Sequence, residues 1–321
     1  MIEVVIGIDI GGTFTKFGII DRKGNQLGEG SIPTDKRDNV LDYMSDLHHA
    51  ISLLLEKGAG NYDLKGIGVG APNGNYYKGT IENAVNLKWT GNIEFCKEFG
   101  KFFPVPVVLT NDANAAAIGE MIFGAAKGMR DFIVITLGTG LGSGLVANGE
   151  LIYGHDGFAG ELGHTIAKPG GRMCGCGRRG CLETYVSATG IKRTVYKLLA
   201  DTTYPSELRK YSFEQLTPDM ISCFANTGDP VALQSFDYTA QFLGMKLAEA
   251  VAHTSPEAIF LFGGLSKAGD LLFVPTRKYF EENLLGIYRN KIKILPSGLT
   301  DKNAAVMGAS ALIWKELDKK A

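Results

Sequence analysis

Four runs of apolar, largely β-branched residues break off in glycine: VVIGIDIGGT (4 to 13), IGVGAPNGN (67 to 75), FIVITLGTGLGSG (132 to 144) and AIFLFGGLSKAG (258 to 269). An apolar run of that length bounded by glycine predicts a buried strand. The first and third runs continue alike, each into a second strand (TKFGII; GLVAN), a polar turn and a third strand (DRKGNQLGEGSI; NGELIYG). Between the strands, apolar positions recur at helical spacing. The pattern is cleanest from Val40 to Lys57, where Leu41, Met44, Leu47, Ile51 and Leu55 share a face. Further helices are expected over Ala113 to Lys127, Thr184 to Leu199, Pro230 to His253 and Asn303 to Leu317. Hairpins followed by alternating helices and strands, given twice, predict two α/β domains of similar plan with a cleft between them. The expected domains are 1–120 and 121–302, and the last helix, about 303–321, is expected to pack back on the first.

Glycine is the compositional outlier, at 42 of 321 residues against a usual share of ~7%, so the chain needs tight turns or close backbone approach. A net charge of -1 excludes a broad electrostatic footprint for nucleic acid or anionic lipid, and the local run Arg172, Arg178, Arg179 is too small to change that. The N-terminal pattern is that of a strand rather than a signal peptide, and no window approaches the ~20 apolar residues of a membrane span. The chain is therefore expected in the cytoplasm. Five cysteines in a reducing compartment are more often metal ligands or catalytic thiols than disulfides.

The glycine loops point to phosphate. GTGLGSG has G-x-G spacing, but a second strand follows it where a dinucleotide fingerprint requires a helix, and no G-K-[ST] P-loop is present. What remains is a hairpin whose side-chain-free tip lets backbone N–H groups approach an anion. Two such hairpins, with Asp9 just before Gly11 and Gly12, suit a nucleoside triphosphate and its Mg²⁺, the carboxylate holding the metal directly or through water. Asp112 lies between a short apolar strand (VPVVL) and an alanine-rich helix, where Asn111, Asp112 or Asn114 can each serve as N-cap.

In linear order, IDIGGT, the TND-x-N run at 110 to 114, TLGTGLGSG, GELGH, the CGCGRRGCLE run and FGGLS resemble the ROK family of sugar kinases and sugar-responsive repressors over nearly the whole chain. The resemblance implies the two-domain actin-like ATPase (ribonuclease H-like) fold. It implies Mg-ATP-dependent phosphorylation of a hexose on its 6-hydroxyl, glucose foremost, with an N-acetylhexosamine (N-acetylglucosamine or N-acetylmannosamine) as the alternative. A non-kinase actin-like ATPase, or a sugar-sensing regulator, is the rival of another class. The family's repressors carry a helix-turn-helix region before the kinase-like part, whereas here a strand is expected from Glu3. By the same resemblance Asp112 takes the proton from the attacking hydroxyl, and Asn111, Glu161, His164 and Glu183 face the sugar. Gly74, Asn75 and Asn86 fall in sugar-pocket loops, although GAPNGN replaces the compact G-x-P-G turn of many relatives and NAVNLKW lacks the proline often found before its asparagine. Gly11, Gly12, Thr13, Gly138, Thr139, Gly140, Gly263 and Gly264 are expected around ATP, Lys16 as a solvated hairpin lysine, and the chain as a homodimer.

The cysteine run has its own chemistry. Cys174, Cys176 and Cys181 with His164 make the Cys₃His set of a tetrahedral structural zinc site, whereas a disulfide would satisfy two thiols of three. Gly175, Gly177 and Gly180 let the backbone fold around the metal. Four protein ligands leave no open position for water, so the expected role is to fix a loop. His164 would then serve twice, one ring nitrogen on zinc and the other toward the sugar. Cys96 and Cys223 sit apart in predicted helices and are assigned no function.

Overall fold

The computed structural model describes residues 1–58, 60–84, 86–299 and 304–319. The chain forms two compact units: Met1–Met129 with Glu150–Ala159 and Ser297–Ala321, and Arg130–Gly149 with Gly160–Pro296.

The first unit opens with the three strands read from the pattern, β1 (Ile2–Ile10), β2 (Phe14–Asp21) and β3 (Gln26–Pro33), followed by α1 (Val40–Glu56). Asn39 starts α1 by accepting the Leu41 N–H, and Tyr43, Met44, Leu47, Ile51 and Leu54 form its buried face. Leu41, counted with that face in the sequence, is exposed. Strand β4 (Tyr62–Ala71) leads to the short strands β5 (Gly74–Asn75), β6 (Thr80–Glu82) and β7 (Asn92–Ile93), then α2 (Phe95–Phe99), β8 (Val107–Asn111) and α3 (Asp112–Ile122). The main sheet runs β3-β2-β1-β4-β8, with β1 antiparallel to β2 and parallel to β4, and β4 parallel to β8.

The second unit repeats the plan. Strands β9 (Phe132–Leu137) and β10 (Leu141–Ala147) form an antiparallel hairpin, and the two-residue β11 (Glu150–Leu151) falls in the segment grouped with the first unit. Helices α4 (Ala188–Asp201), α5 (Pro218–Asn226) and α6 (Pro230–Thr254) precede β12 (Ala258–Phe262), α7 (Asp270–Asn283) and β13 (Lys293–Pro296). The order β10-β9-β12-β13, with β12 parallel to both β9 and β13, matches the hairpin-plus-parallel arrangement of the first sheet. Helix α7 was not legible as a periodic run; it carries Pro275 in its interior, which argues against a helix in sequence.

The last helix, α8 (Ala304–Asp318), belongs to the first unit and accounts for part of the glycine excess. A Cβ on Gly7 of β1 would lie 2.1 Å from the Val306 carbonyl oxygen, and one on Gly68 of β4 would lie 1.9 Å from that of Ala309. These glycines sit on a strand face so that a helix backbone can rest on it; they make no turn. Helices α3 and α8 cross just as closely, a Cβ on Gly119 meeting Gly308 Cα at 2.8 Å. The expected boundary at 120 therefore falls inside a helix held to the first unit. Helix α3 also ends before the expected Lys127, because the buried Glu120 carboxylate accepts the Ala125 N–H and, across the unit, the N–H groups of Gly298 and Leu299. Val85 of the NAVNLKW segment, Asn303, and positions 320–321 of the expected last helix lie outside the described residues. Among the described residues no helix is long and apolar enough to cross a membrane.

Candidate active site and metal cluster

In the first unit the parallel strands β1, β4 and β8 end level with one another: Asp9 pairs with Gly70, and Gly70 with Thr110. Asp112 follows the end of β8 directly. Ligand sites of open α/β sheets form beyond such carboxyl ends, and here two acids occupy the position. Burial and then the charge of Asp112 push the Asp9 carboxyl up to about 7, against the pull of Lys16, its cross-strand partner on β2. Lys16 is exposed, as expected. Burial likewise raises Asp112, opposed by hydrogen bonds from the Ala113 N–H and its own N–H; its side chain keeps solvent contact although protein surrounds it closely.

A raised carboxyl pKa has a stability consequence. The folded protein binds the Asp9 proton more tightly than the unfolded chain, so without Mg²⁺ stability falls as pH rises from about 4 to about 7. Asp9→Asn removes that dependence. Its melting temperature should exceed that of the wild type at pH 8 by an amount equivalent to a few kcal/mol, on the order of the shift itself, and the gap should close toward pH 4. Melts across pH in Mg²⁺-free buffer check this; a gap that does not vary with pH contradicts it.

The cap of α3 is Asn111, whose Oδ1 accepts the Ala113 N–H at 2.9 Å; Asp112 Oδ1 accepts the same N–H at 2.8 Å. Asn114 is interior and donates to Thr110 Oγ1. At the β1–β2 turn the Gly11 N–H donates to the Phe14 carbonyl, and Gly12 and Thr13 are exposed. A Cβ on Gly12 would meet the Asn86 carbonyl oxygen at 2.6 Å, so the exposed Asn86 lies beside this hairpin.

Two residues expected in the sugar pocket are enclosed by their own loop in this structure. Asn75 is fully buried: its amide donates to the Asp156 carbonyl at 2.8 Å, and its Oδ1 accepts the N–H groups of Tyr77 and Lys78. The GAPNGN loop turns at Asn73, in the left-handed region at φ 50°, and drives the next residues inward. Gly74 is buried where a Cβ would stand 2.4 Å from the Thr110 carbonyl oxygen. Both residues brace the loop.

In the second unit the β9–β10 hairpin exposes Gly138 and Thr139 at its tip, with the Gly138 N–H donating to the Gly140 carbonyl and the Ala188 N–H to the Gly138 carbonyl. After β12, Gly263 adopts φ 103°, and a Cβ there would lie 2.7 Å from the Leu137 carbonyl oxygen; nothing stands within 4 Å of a Cβ on Gly264. The turns after β9 and β12 are thus adjacent.

The cysteine run folds as a cluster. The ligand atoms of His164, Cys174, Cys176 and Cys181 all lie within 4.8 Å of one another, with Cys176 Sγ 3.6 Å from Cys181 Sγ and Cys174 Sγ 3.6 Å from His164 Nδ1. A tetrahedron with metal–sulfur bonds of about 2.3 Å has edges of about 3.8 Å, so this donor set fits zinc. Arg178 holds the loop by donating to the His164 carbonyl at 2.7 Å. Burial raises the Cys174 and Cys181 thiols; for Cys176 burial is overcome by hydrogen bonds from Arg178 and the other thiols, which hold it at about 6.

Three of the residues expected to face the sugar, Glu161, His164 and Glu183, gather on this cluster. His164 Nδ1 points at Cys174 and Glu183, and its Nε2 lies 3.9 Å from Glu161 Oε2. Glu183 divides its carboxylate: Oε1 is 3.0 Å from Cys174 Sγ, while Oε2 accepts the Leu141 N–H at 3.4 Å and stands 2.6 Å from where a Cβ on Gly140 would be. That tie between the cluster and the glycine hairpin is invisible in sequence, because it joins a side chain to a backbone N–H 42 residues away.

The ROK family model matches residues 5–316. A glucokinase of Halalkalibacterium halodurans is 37% identical over 283 residues, which is 86% of this chain and 84% of that protein. The solved structure of a ROK family glucokinase from Streptomyces griseus, in complex with glucose and AMPPNP, is 33% identical with a TM-score of 0.82, covering 96% of this chain and 98% of that one. A ROK family transcriptional regulator homologous to the E. coli MLC protein aligns at 26% identity and a TM-score of 0.88, covering 98% of this chain and 78% of the regulator.

Proposed function

This chain belongs to the ROK family and has its two-domain actin-like ATPase fold, and from that premise we propose that it transfers the γ-phosphoryl group of ATP to the 6-hydroxyl of a hexose, glucose first among them. The observation that carries the reading is the clustering of Glu161, His164 and Glu183 on a Cys₃His site, beside a glycine hairpin, in a chain 37% identical to a glucokinase. Carboxylates and an imidazole in one corner can accept and donate to the vicinal hydroxyls of a sugar; an ATPase that transfers only to water has no use for them.

In this reading Asp112 accepts the proton of the attacking hydroxyl. Phosphoryl transfer has a loose transition state, so the base acts mainly by orienting that hydroxyl in line with the γ-phosphate. Asn111, with its Oδ1 committed to the helix cap, offers its amide N–H₂ to the sugar, and Asn86 is a further contact. Gly11, Gly12, Thr13, Gly138, Thr139, Gly140, Gly263 and Gly264 surround the nucleotide, the exposed hairpin tips donating backbone N–H groups to phosphate. Asp9 would hold Mg²⁺, which when bound neutralises phosphate charge, and His164, Cys174, Cys176 and Cys181 would hold a structural zinc. The site of action is the cytoplasm, where ATP is abundant and thiols stay reduced.

The test is a coupled ADP-release assay across glucose, mannose, fructose, N-acetylglucosamine and N-acetylmannosamine. Highest kcat/KM with glucose is expected. A preference for an N-acetylhexosamine moves the assignment to that substrate class, and sugar binding without ADP release favours a sensing role like that of the aligned regulator.

The two hairpin glycines separate nucleotide from sugar effects. Gly138→Val adds atoms where none stand within 4 Å of the first of them, so it should raise the ATP KM by about tenfold or more through blocked phosphate approach while the sugar KM stays near wild type. Gly140→Val drives a Cβ to 2.6 Å from Glu183 Oε2 and should weaken both ligands. Separate KM values for each substrate decide; equal losses in Gly138→Val contradict the hairpin's role.

A further inference from the structure

Arg172 stands two residues before Cys174 and takes no part in the cluster. Its half-buried guanidinium turns inward: one terminal nitrogen donates to the Thr184 carbonyl at 2.7 Å and the Gly190 carbonyl at 3.1 Å, and the other donates to Thr194 Oγ1 at 3.0 Å. The same group lies over the buried Tyr185 ring, 4.6 Å from its centre. The backbone of Arg172 closes the knot, its N–H donating to the Tyr185 hydroxyl at 3.0 Å and its carbonyl accepting the Gly180 N–H at 2.8 Å. Gly171 leaves room for this, since a Cβ there would lie 2.1 Å from the Tyr185 hydroxyl.

One side chain thus joins three segments: the ribbon before Cys174, the turn at Leu182–Thr184, and the first turns of α4. Glu183 sits inside that turn. On its N-terminal side is Cys181, fixed by the cluster; on its C-terminal side is Thr184, whose carbonyl Arg172 grips. A planar fork that spans two carbonyls, a hydroxyl and a ring face is beyond the reach of an ammonium group. We propose that Arg172 is a positioning residue for the Glu183 carboxylate, setting sugar affinity and the discrimination between epimers in parallel with the metal. The proposal rests on the reading that Glu183 faces the sugar. It follows from the steepness of hydrogen-bond geometry: a carboxylate displaced by about 1 Å loses its paired hydroxyls, an error that can cost on the order of 10²-fold.

The test uses Arg172→Lys and Thr194→Val in the full chain, with sugar and ATP KM, kcat, the glucose-to-mannose ratio of kcat/KM, and zinc content by elemental analysis. In zinc-loaded Arg172→Lys the glucose KM should rise about tenfold or more and the epimer ratio should fall, with kcat within about twofold and the ATP KM rising much less than the glucose KM; Thr194→Val should move the same quantities less. A role confined to stability lowers the active fraction and leaves the KM and epimer ratio of the remaining enzyme alone, and that outcome overturns the proposal. If Arg172→Lys loses zinc or fails to fold, Thr194→Val decides: a wild-type glucose KM and epimer ratio in that variant refutes the role. Calorimetric glucose binding keeps this separate from the functional reading. Wild type that binds glucose but releases no ADP refutes phosphoryl transfer and leaves the effect of Arg172 on glucose Kd measurable; wild type that binds no sugar refutes both.

Discussion

Asp112→Asn lowers kcat by at least ~10² while sugar and ATP binding stay close to wild type, the loss expected when a general base is removed from an otherwise intact site. The substitution is nearly isosteric. Helix α3 keeps its start, because Asn111 Oδ1 caps the Ala113 N–H independently of Asp112. One side-chain oxygen also survives to accept that same N–H, as Asp112 Oδ1 does. Folding should therefore persist, and stability should rise slightly, since the charge of Asp112 is one of the two causes that raise Asp9. The comparison is Asn111→Ala, which loses the cap and should cost about 1 kcal/mol of stability. Steady-state kinetics with separate calorimetric Kd values check the claim. Near-normal turnover in Asp112→Asn removes Asp112 from the chemistry; a lost Kd for both ligands means the site itself has collapsed.

Cys176→Ser, or removal of the metal by a chelator, raises the sugar KM about tenfold or more and lowers the melting temperature, while the ATP KM changes less. Metal binding energy is folding energy, and at this site the folded product is the arrangement of Glu161, His164 and Glu183. His164 would lose the partner that fixes its ring through Nδ1, which also sets its Nε2 against Glu161. Glu183 would lose the order of Cys174 beside its Oε1. Its Oε2 still meets the Leu141 N–H, so some of the disturbance reaches the glycine hairpin and the ATP KM should not be wholly unaffected. A zinc acting chemically predicts the opposite, a fall in kcat at saturating sugar with KM preserved. Metal analysis of the wild type accompanies the kinetics, and absence of bound metal contradicts the account.

What the sequence made legible depended on how local each signal is. The Cys₃His donors fall within one short run, so residue type and spacing sufficed to group them, and the 3.6 Å contacts of the folded cluster follow that pattern. The hairpins and parallel strands were legible because a buried strand writes an apolar run, and the duplicated order of the two sheets follows from the repeated pattern. Glycine was ambiguous. Gly138 and Gly263 sit in turns as read, but Gly7 and Gly68 serve helix α8, which packs on them from the far end of the chain. The burial of Asn75 was illegible for a similar reason: nothing in its neighbourhood shows that Asp156 would come to accept its amide. The pairing of Asp9 with Asp112 depends on three strands ending together, a property of the sheet, and resemblance to the family supplied what periodicity could not.

The central claim is that the phosphoryl group goes to a sugar hydroxyl rather than to water, and ³¹P and ¹³C NMR of the products made from ATP and uniformly labelled glucose tests it most directly. The account predicts one hexose 6-phosphate per ADP, seen as a phosphomonoester coupled to C6, with no accumulation of inorganic phosphate. ADP matched by inorganic phosphate, or a phosphate on another carbon, would contradict it.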